Sequence, residues 1–149
     1  GQERGLRPGT ENVAGIVGLG AAALAAKRDL EATGVRLTAL RERLWARLAA
    51  EVPLLRLNGH PTVRLPGALN VCFPGVSGSA LLERAPELAA STGSACHDGH
   101  EQPSAVLLAM GLSPEQARGA IRLTLGRGTT EDDVDRAAAA LARAHRELT

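Results

Sequence analysis

Cys96 stands at the centre of Ser91–Met110, STGSACHDGHEQPSAVLLAM, where the residues before it are nearly all small and those after it polar. Glycines and serines with free backbone torsions make a mobile, exposed loop rather than core. A thiol carried on such a loop can reach a partner molecule, and once deprotonated it is a nucleophile and a metal ligand. His97 and His100 offer a nearby proton acceptor or a cation that favours the thiolate, whereas Asp98 works against it. The cluster also admits a metal reading, with Cys96, His97 and His100 as three ligands and Cys72 as a fourth, although the spacing matches no zinc-ribbon or zinc-finger pattern. Two inert readings stand beside these. Cys96 could be a small buried hydrophobe in a plain connection, or part of a docking loop in a non-catalytic binding module, where Cys96→Ser would have no chemical consequence.

The elements that must position this stretch follow from periodicity. Val13, Ile16, Val17, Gly20 and Leu24 share a helical face, and the alanine-rich run 21–26 favours helix by propensity. A second helix is predicted from Leu37, Leu40, Leu44, Leu48 and Val52, with Arg36, Arg41, Arg43 and Arg47 forming a solvated face. After Pro53 the period changes. Leu54–Leu57 and Ala68–Phe73 read as strands, the latter with Leu69, Val71 and Phe73 on one face against Asn70 and Cys72 on the other. Ser79–Arg84 is expected to be a short helix, Leu88–Ser91 a short strand, and Pro103–Met110 a helix with Val106, Leu107 and Met110 inward. Ser113-Pro114-Glu115-Gln116 combines an N-cap serine, a first-turn proline and a capping-box glutamine. Ala120–Leu125 alternates as a strand, with Ile121, Leu123 and Leu125 toward the core and Arg122 and Thr124 opposite. Thr130 and Asp133 cap a last helix whose buried stripe is Val134, Ala138, Leu141, His145 and Leu148. The expected class is α+β: two long N-terminal helices, then a small antiparallel or mixed sheet with helices covering one face.

Composition narrows the function. At 149 residues the chain is one domain's worth and long enough to bury a core. A net charge of +1 and only two aromatic residues, Trp45 and Phe73, give no case for nucleic-acid binding. No apolar run has the length of a membrane span, and no basic-then-apolar signal peptide opens the sequence. Two cysteines in unlike contexts suggest reduced thiols in a cytoplasmic protein.

Three separated segments, GQERGLRPGTEN at Gly1–Asn12, STGSACHDGHEQPSAVLLAMGL at Ser91–Leu112 and IRLTLGRGTTEDDVD at Ile121–Asp135, resemble motifs of the NifS-like cysteine desulfurases, a class V group of pyridoxal-phosphate-dependent aminotransferase-fold enzymes. Their order and spacing match as well. The resemblance implies the small C-terminal domain of a type I aminotransferase fold with a long connecting helix: residues 1–12 a preceding loop, residues 13–149 the domain, and the large domain absent. The family's cofactor lysine lies in that large domain. Lys27, the single lysine here, stands mid-helix without the family context and is expected at the surface. The chain is therefore expected to be a piece of a longer enzyme, inactive alone.

By the same resemblance Cys96 is the nucleophile that takes sulfur from L-cysteine as a persulfide and releases L-alanine. Arg122 holds the substrate carboxylate, Arg127 is structural, and Thr10 reaches the cofactor phosphate of the neighbouring subunit of a homodimer. A sulfur-acceptor protein is the implied partner, with no nucleic acid, membrane or metal. ACHDGHEQPS departs from the commoner desulfurase pattern and looks closer to selenocysteine lyases, which leaves L-selenocysteine as an alternative substrate. His60, His145 and Cys72 gain nothing from the resemblance and are read as structural.

Overall fold

The computed structural model describes residues 3–92 and 102–149. Two compact units divide the chain, Gly1–Thr33 and Gly34–Thr149. The first opens with a 3-10 turn, Glu3–Gly5, and contains the start of α1 (Val13–Glu51). The Asn12 side chain starts that helix by accepting from the Gly15 amide at 3.0 Å. Val13, Ile16, Val17, Leu19, Leu24 and Leu30 are 61–73 % exposed, so this unit presents an apolar surface rather than a core.

One helix runs where two were expected. The polar stretch from Lys27 to Arg36 carries no apolar repeat, which hides the continuity from a pattern search. Intrahelical hydrogen bonds need no apolar face, however, and the one interruption, Gly34, costs only about 1 kcal/mol of propensity. No proline lies within the helix, and the next one after Pro8 is Pro53, two residues beyond the helix end.

The second unit is built on a three-stranded antiparallel sheet in the order β1 (Arg56–Leu57), β2 (Ala68–Cys72), β3 (Ala120–Thr124). Leu69, Val71, Phe73, Ile121, Leu123 and Leu125 all face one side and are buried, as the alternation requires. Leu40, Leu44, Leu48 and Val52 from the α1 end join Val134, Ala138 and Leu141 of α5 (Glu131–Leu148) to complete this core. His145 lies in the same stripe, its Nε2 3.0 Å from the Pro74 carbonyl and its ring tilted against Phe73. The expected strand at 88–91 is reduced to a single bridge, Ser91 to Arg122.

Arg36, Arg43 and Arg47 of α1 are exposed as expected, and only Arg41 leaves the solvated face. Arg41 is only 4 % exposed and donates to the Leu65 and Pro66 carbonyls and to Glu42. Arg36 donates to the Arg127 and Thr129 carbonyls, both at 2.7 Å. Arg43 and Arg47 converge on Asp135 of α5, Arg43 as a two-pronged fork at 2.8 and 2.7 Å, and hold that carboxyl below its ordinary range. Charge on this helix ties it to its neighbours, because a guanidinium can donate to several carbonyls while its stem packs on apolar surface.

α2 (Gly78–Glu83) packs on α5 and adds Leu81 to the main core, while two short helices, α3 (Ala105–Ala109) and α4 (Pro114–Arg118), cover the other side of the sheet at one end. Leu107, Leu112 and Ala117 pack with Cys72 and Ala120 in a second, smaller core. Within α3 only Leu107 is buried. Val106 and Met110 are 67 % and 47 % exposed, contrary to the inward placement expected, because five helical residues can turn only one position fully onto the sheet. The Ser113 and Thr130 capping boxes both form.

Two predictions arise from this frame. Gly119 has an ordinary φ of −75°, but a Cβ there would lie 2.3 Å from the Phe73 carbonyl oxygen. That carbonyl belongs to backbone anchored by the Phe73 amide, which donates to the Gly119 carbonyl at 2.9 Å. Gly119→Ala is therefore expected to destabilise the domain by about 3 kcal/mol and to lower its melting temperature by roughly 6–12 °C. Asp133, whose carboxylate accepts from the Thr130 amide and hydroxyl and from Arg136, has its pKa lowered from 3.8 to about 2, chiefly by the backbone bond. A lowered folded-state pKa adds stability that is present above the unfolded value and lost as pH falls through the folded one. Urea midpoints of Asp133→Asn should therefore lie below those of the unaltered chain at pH 5, and the gap should close between about pH 4 and pH 2.

Candidate functional site

The sheet side away from the main core carries polar side chains, and pairing lines four of them up. Arg122 is directly opposite Asn70 in the β2–β3 ladder. Asn58 extends β1 by one residue, its amide donating to the Asn70 carbonyl at 2.9 Å. On the other flank the Arg122 amide donates to the Ser91 carbonyl at 2.7 Å. Directly opposed residues of antiparallel strands put their side chains on the same face, so Asn58, Asn70, Arg122 and Ser91 form one row across the sheet.

Arg122 is exposed, and among the described residues its guanidinium has no carboxylate partner. Five donors in a rigid fork, held on a strand and without a carboxylate partner among the described residues, suit a planar carboxylate ligand. Asn58 is buried, and its Nδ2 donates to Asn70 Oδ1 at 2.7 Å and to Cys72 Sγ at 3.0 Å. Burial pushes the Cys72 thiol up from its ordinary value, which keeps it protonated. Cys72 is thus a packed residue of the smaller core, as its strand alternation suggests.

Cys96, His97, Asp98 and His100 lie outside the described residues, and so do the nucleophile and metal readings that depend on them. The chain on either side is described. Ser91 is bridged to Arg122 on β3, and Leu107 of α3 packs against Cys72 and Ala120 at the end of the same sheet face. Both flanks of the cysteine stretch are therefore anchored on the face that carries Arg122. An open hollow of about 450 Å³, bordered by Ser79, Leu82, Glu83, Ala90, Ser91 and Thr92, adjoins the entry side. Among the described residues no group of three or more His, Cys, Asp or Glu is placed to hold a metal ion, and no helix is long and apolar enough to cross a membrane.

Thr10 belongs to the first unit. Arg7 organises the turn around it, donating to the Gly9 carbonyl at 2.7 Å, the Thr10 carbonyl at 2.9 Å and Glu11 at 2.8 Å. Gly9 has φ +96°, a torsion that favours glycine. Thr10 is exposed, so its hydroxyl is available to an anion. Lys27 is exposed on α1, as expected. One hydroxyl contact to a phosphate fits the residues present.

The asparagine pair is the part of the site that sequence reasoning missed. The signal was present in the alternation, which put Asn70 and Arg122 on the polar faces of their strands. What could not be read was register, which makes them direct neighbours.

Comparison with known proteins follows the same lines. A family model described as aminotransferase class-V matches residues 1–137. A protein named cysteine desulfurase IscS from Anaeromyxobacter sp. (strain K) is 50 % identical over 135 residues, covering 91 % of this chain and 33 % of the relative. One of the same name from Methanosarcina thermophila is 47 % identical over 137 residues, covering 91 % of this chain and 34 % of the relative. The chain thus spans about a third of the length of these relatives. Among solved structures, a NifS-like protein from Rickettsia africae superimposes with a TM-score of 0.82 at 26 % identity, covering 98 % of this chain and 38 % of that one. A second NifS-like protein gives a TM-score of 0.77 at 33 % identity, over 99 % of this chain and 36 % of that one.

Proposed function

Since the chain belongs to the class V aminotransferase family, we propose that it is the C-terminal part of a pyridoxal-phosphate-dependent cysteine desulfurase, with Cys96 as the sulfur-accepting nucleophile. The observation that carries the reading is the sheet face on which an exposed Arg122, without a carboxylate partner among the described residues, stands beside the two anchored flanks of the Cys96 stretch.

Each residue has a part that its chemistry can fill. Arg122 grips the substrate's α-carboxylate with its guanidinium fork and so fixes the orientation of the amino acid. The Cys96 thiolate attacks the sulfur of the bound cysteine: a sulfur–sulfur bond forms, the substrate's carbon–sulfur bond breaks, and its electron pair stays with the carbon fragment, which leaves as alanine after protonation. Pyridoxal phosphate, when bound, supplies the electron sink that activates the carbon–sulfur bond. Thr10 offers its hydroxyl to the phosphate of that group, in the neighbouring subunit of a homodimer. The group's lysine belongs to the rest of the longer protein, so the 149 residues alone are expected to be inactive. The persulfide is then passed to an acceptor protein in the cytoplasm.

The test is incubation of the full-length enzyme with pyridoxal phosphate and L-cysteine, followed by alanine assay and intact mass. Alanine release with a mass gain of one sulfur, removed by reductant, supports the desulfurase. The HDGH run after Cys96 favours a second reading in the same family: alanine release from L-selenocysteine alone, without an adduct, would identify a selenocysteine lyase.

A further inference from the structure

Asn58 makes every contact of its amide nitrogen at the cost of its oxygen. Its Nδ2 serves Asn70 Oδ1 at 2.7 Å and Cys72 Sγ at 3.0 Å, its backbone amide serves the Asn70 carbonyl at 2.9 Å, and its own carbonyl accepts from Arg64 at 2.9 Å. Among the described residues Oδ1 is left buried without a partner, and a buried acceptor that has lost its water without gaining a donor is destabilising. Such an orphaned acceptor calls for an explanation. The geometry offers one. With Asn70 Oδ1 occupied by Asn58, the planar Asn70 amide must turn its Nδ2 donors to another side. Asn70 is half-buried and directly opposite Arg122, and cross-strand Cβ atoms lie about 4.5–5.5 Å apart. Two groups that only donate, an amide NH2 and a guanidinium, then stand side by side on one face, with no acid among the described residues paired to the guanidinium. Adjacent donors without an acceptor constitute an anion site.

We propose that Asn70 is a second recognition group for the substrate carboxylate, donating from Nδ2 alongside the Arg122 fork, and that Asn58 is the positioning residue that fixes its amide. This rests on the reading of Arg122 as the carboxylate-binding arginine and extends it to a two-residue site for a small α-amino acid. The row also accounts for the unpaired Asn58 oxygen: the opposite amide orientation, with the Asn58 oxygen facing Asn70, would force Asn70 to present its oxygen to the incoming carboxylate.

Asn70→Ala separates recognition from structure, because it removes the Nδ2 donors without placing a charge opposite Arg122. A purely structural role predicts a lower melting temperature with KM unchanged, whereas recognition predicts a higher KM. Asn70→Asp puts a negative charge beside both the guanidinium and the substrate carboxylate, so its effect is the larger of the two. In the full-length enzyme loaded with pyridoxal phosphate, KM for L-cysteine and the inhibition constant of L-alanine, which has the same carboxylate but no sulfur, should both rise at least about thirtyfold in Asn70→Asp and about five- to tenfold in Asn70→Ala, with kcat within about threefold. Asn58→Ala should raise KM less than Asn70→Asp and leave kcat nearly unchanged. A normal KM and inhibition constant in Asn70→Ala, with Arg122→Ala impaired, overturns the inference and leaves the arginine reading intact. A normal KM in Asn58→Ala overturns the positioning role. Arg122→Ala with unaltered KM removes the foundation of both, and absence of alanine release by the unaltered enzyme sinks the desulfurase reading itself.

Discussion

Replacing Cys96 with serine in the full-length enzyme is expected to abolish the one-sulfur mass gain after incubation with L-cysteine and to lower alanine release by at least about a thousandfold. A hydroxyl is slightly smaller, remains protonated near neutral pH and is a far poorer nucleophile toward sulfur, so losing the thiolate removes the chemical step itself. The loss should fall on kcat, since the carboxylate grip of Arg122 and the cofactor anchor elsewhere are untouched. Two controls separate this from misfolding. Cofactor content by absorbance should match the unaltered enzyme, and the melting temperature should move by no more than a few degrees. Persulfide formation in Cys96→Ser would transfer the role to another thiol. Cys72 is a poor candidate for that, because it is buried, raised in pKa and packed between Asn58 and the smaller core.

Substitution of Arg122 should act on the other kinetic constant. Arg122→Ala removes a fork that meets the substrate carboxylate with two charge-assisted hydrogen bonds, and a loss of about a hundredfold to a thousandfold in kcat/KM is expected, mostly through KM. Arg122→Lys keeps the charge but loses the planar fork, and should recover no more than about a tenth of the original efficiency. The strand should tolerate both changes. Arg122 faces away from the main core, while its neighbours Ile121 and Leu123 supply the burial and its backbone makes the ladder bonds to Asn70 and Ser91. Thermal unfolding within a few degrees of the unaltered enzyme, together with the KM rise, confirms a ligand-binding role. A collapse of stability with unchanged KM would show Arg122 to be structural.

The sequence determined the local elements wherever the chemistry is local. Alternation in Ala68–Cys72 and Ala120–Thr124 set which side chains face the core, because the period of a strand is two. Ser113 with Gln116 and Thr130 with Asp133 marked two helix starts, since a capping box needs only neighbours three residues apart. The three motif segments carried the family. Periodicity failed where stability does not come from an apolar stripe: the polar middle of α1 concealed one helix as two, and five-residue α3 buried Leu107 without Val106 or Met110. Only the tertiary structure decided what depends on register and long-range pairing. Arg41, sixth in a run of otherwise ordinary helix residues from Arg36, became a buried donor to a loop more than twenty residues away because that loop's carbonyls needed partners. Asn58, Asn70, Arg122 and Ser91, spread over sixty-four positions, became adjacent because two antiparallel ladders and one bridge fixed their alignment, and a shift of one residue in any of these pairings would have turned the row to the opposite face.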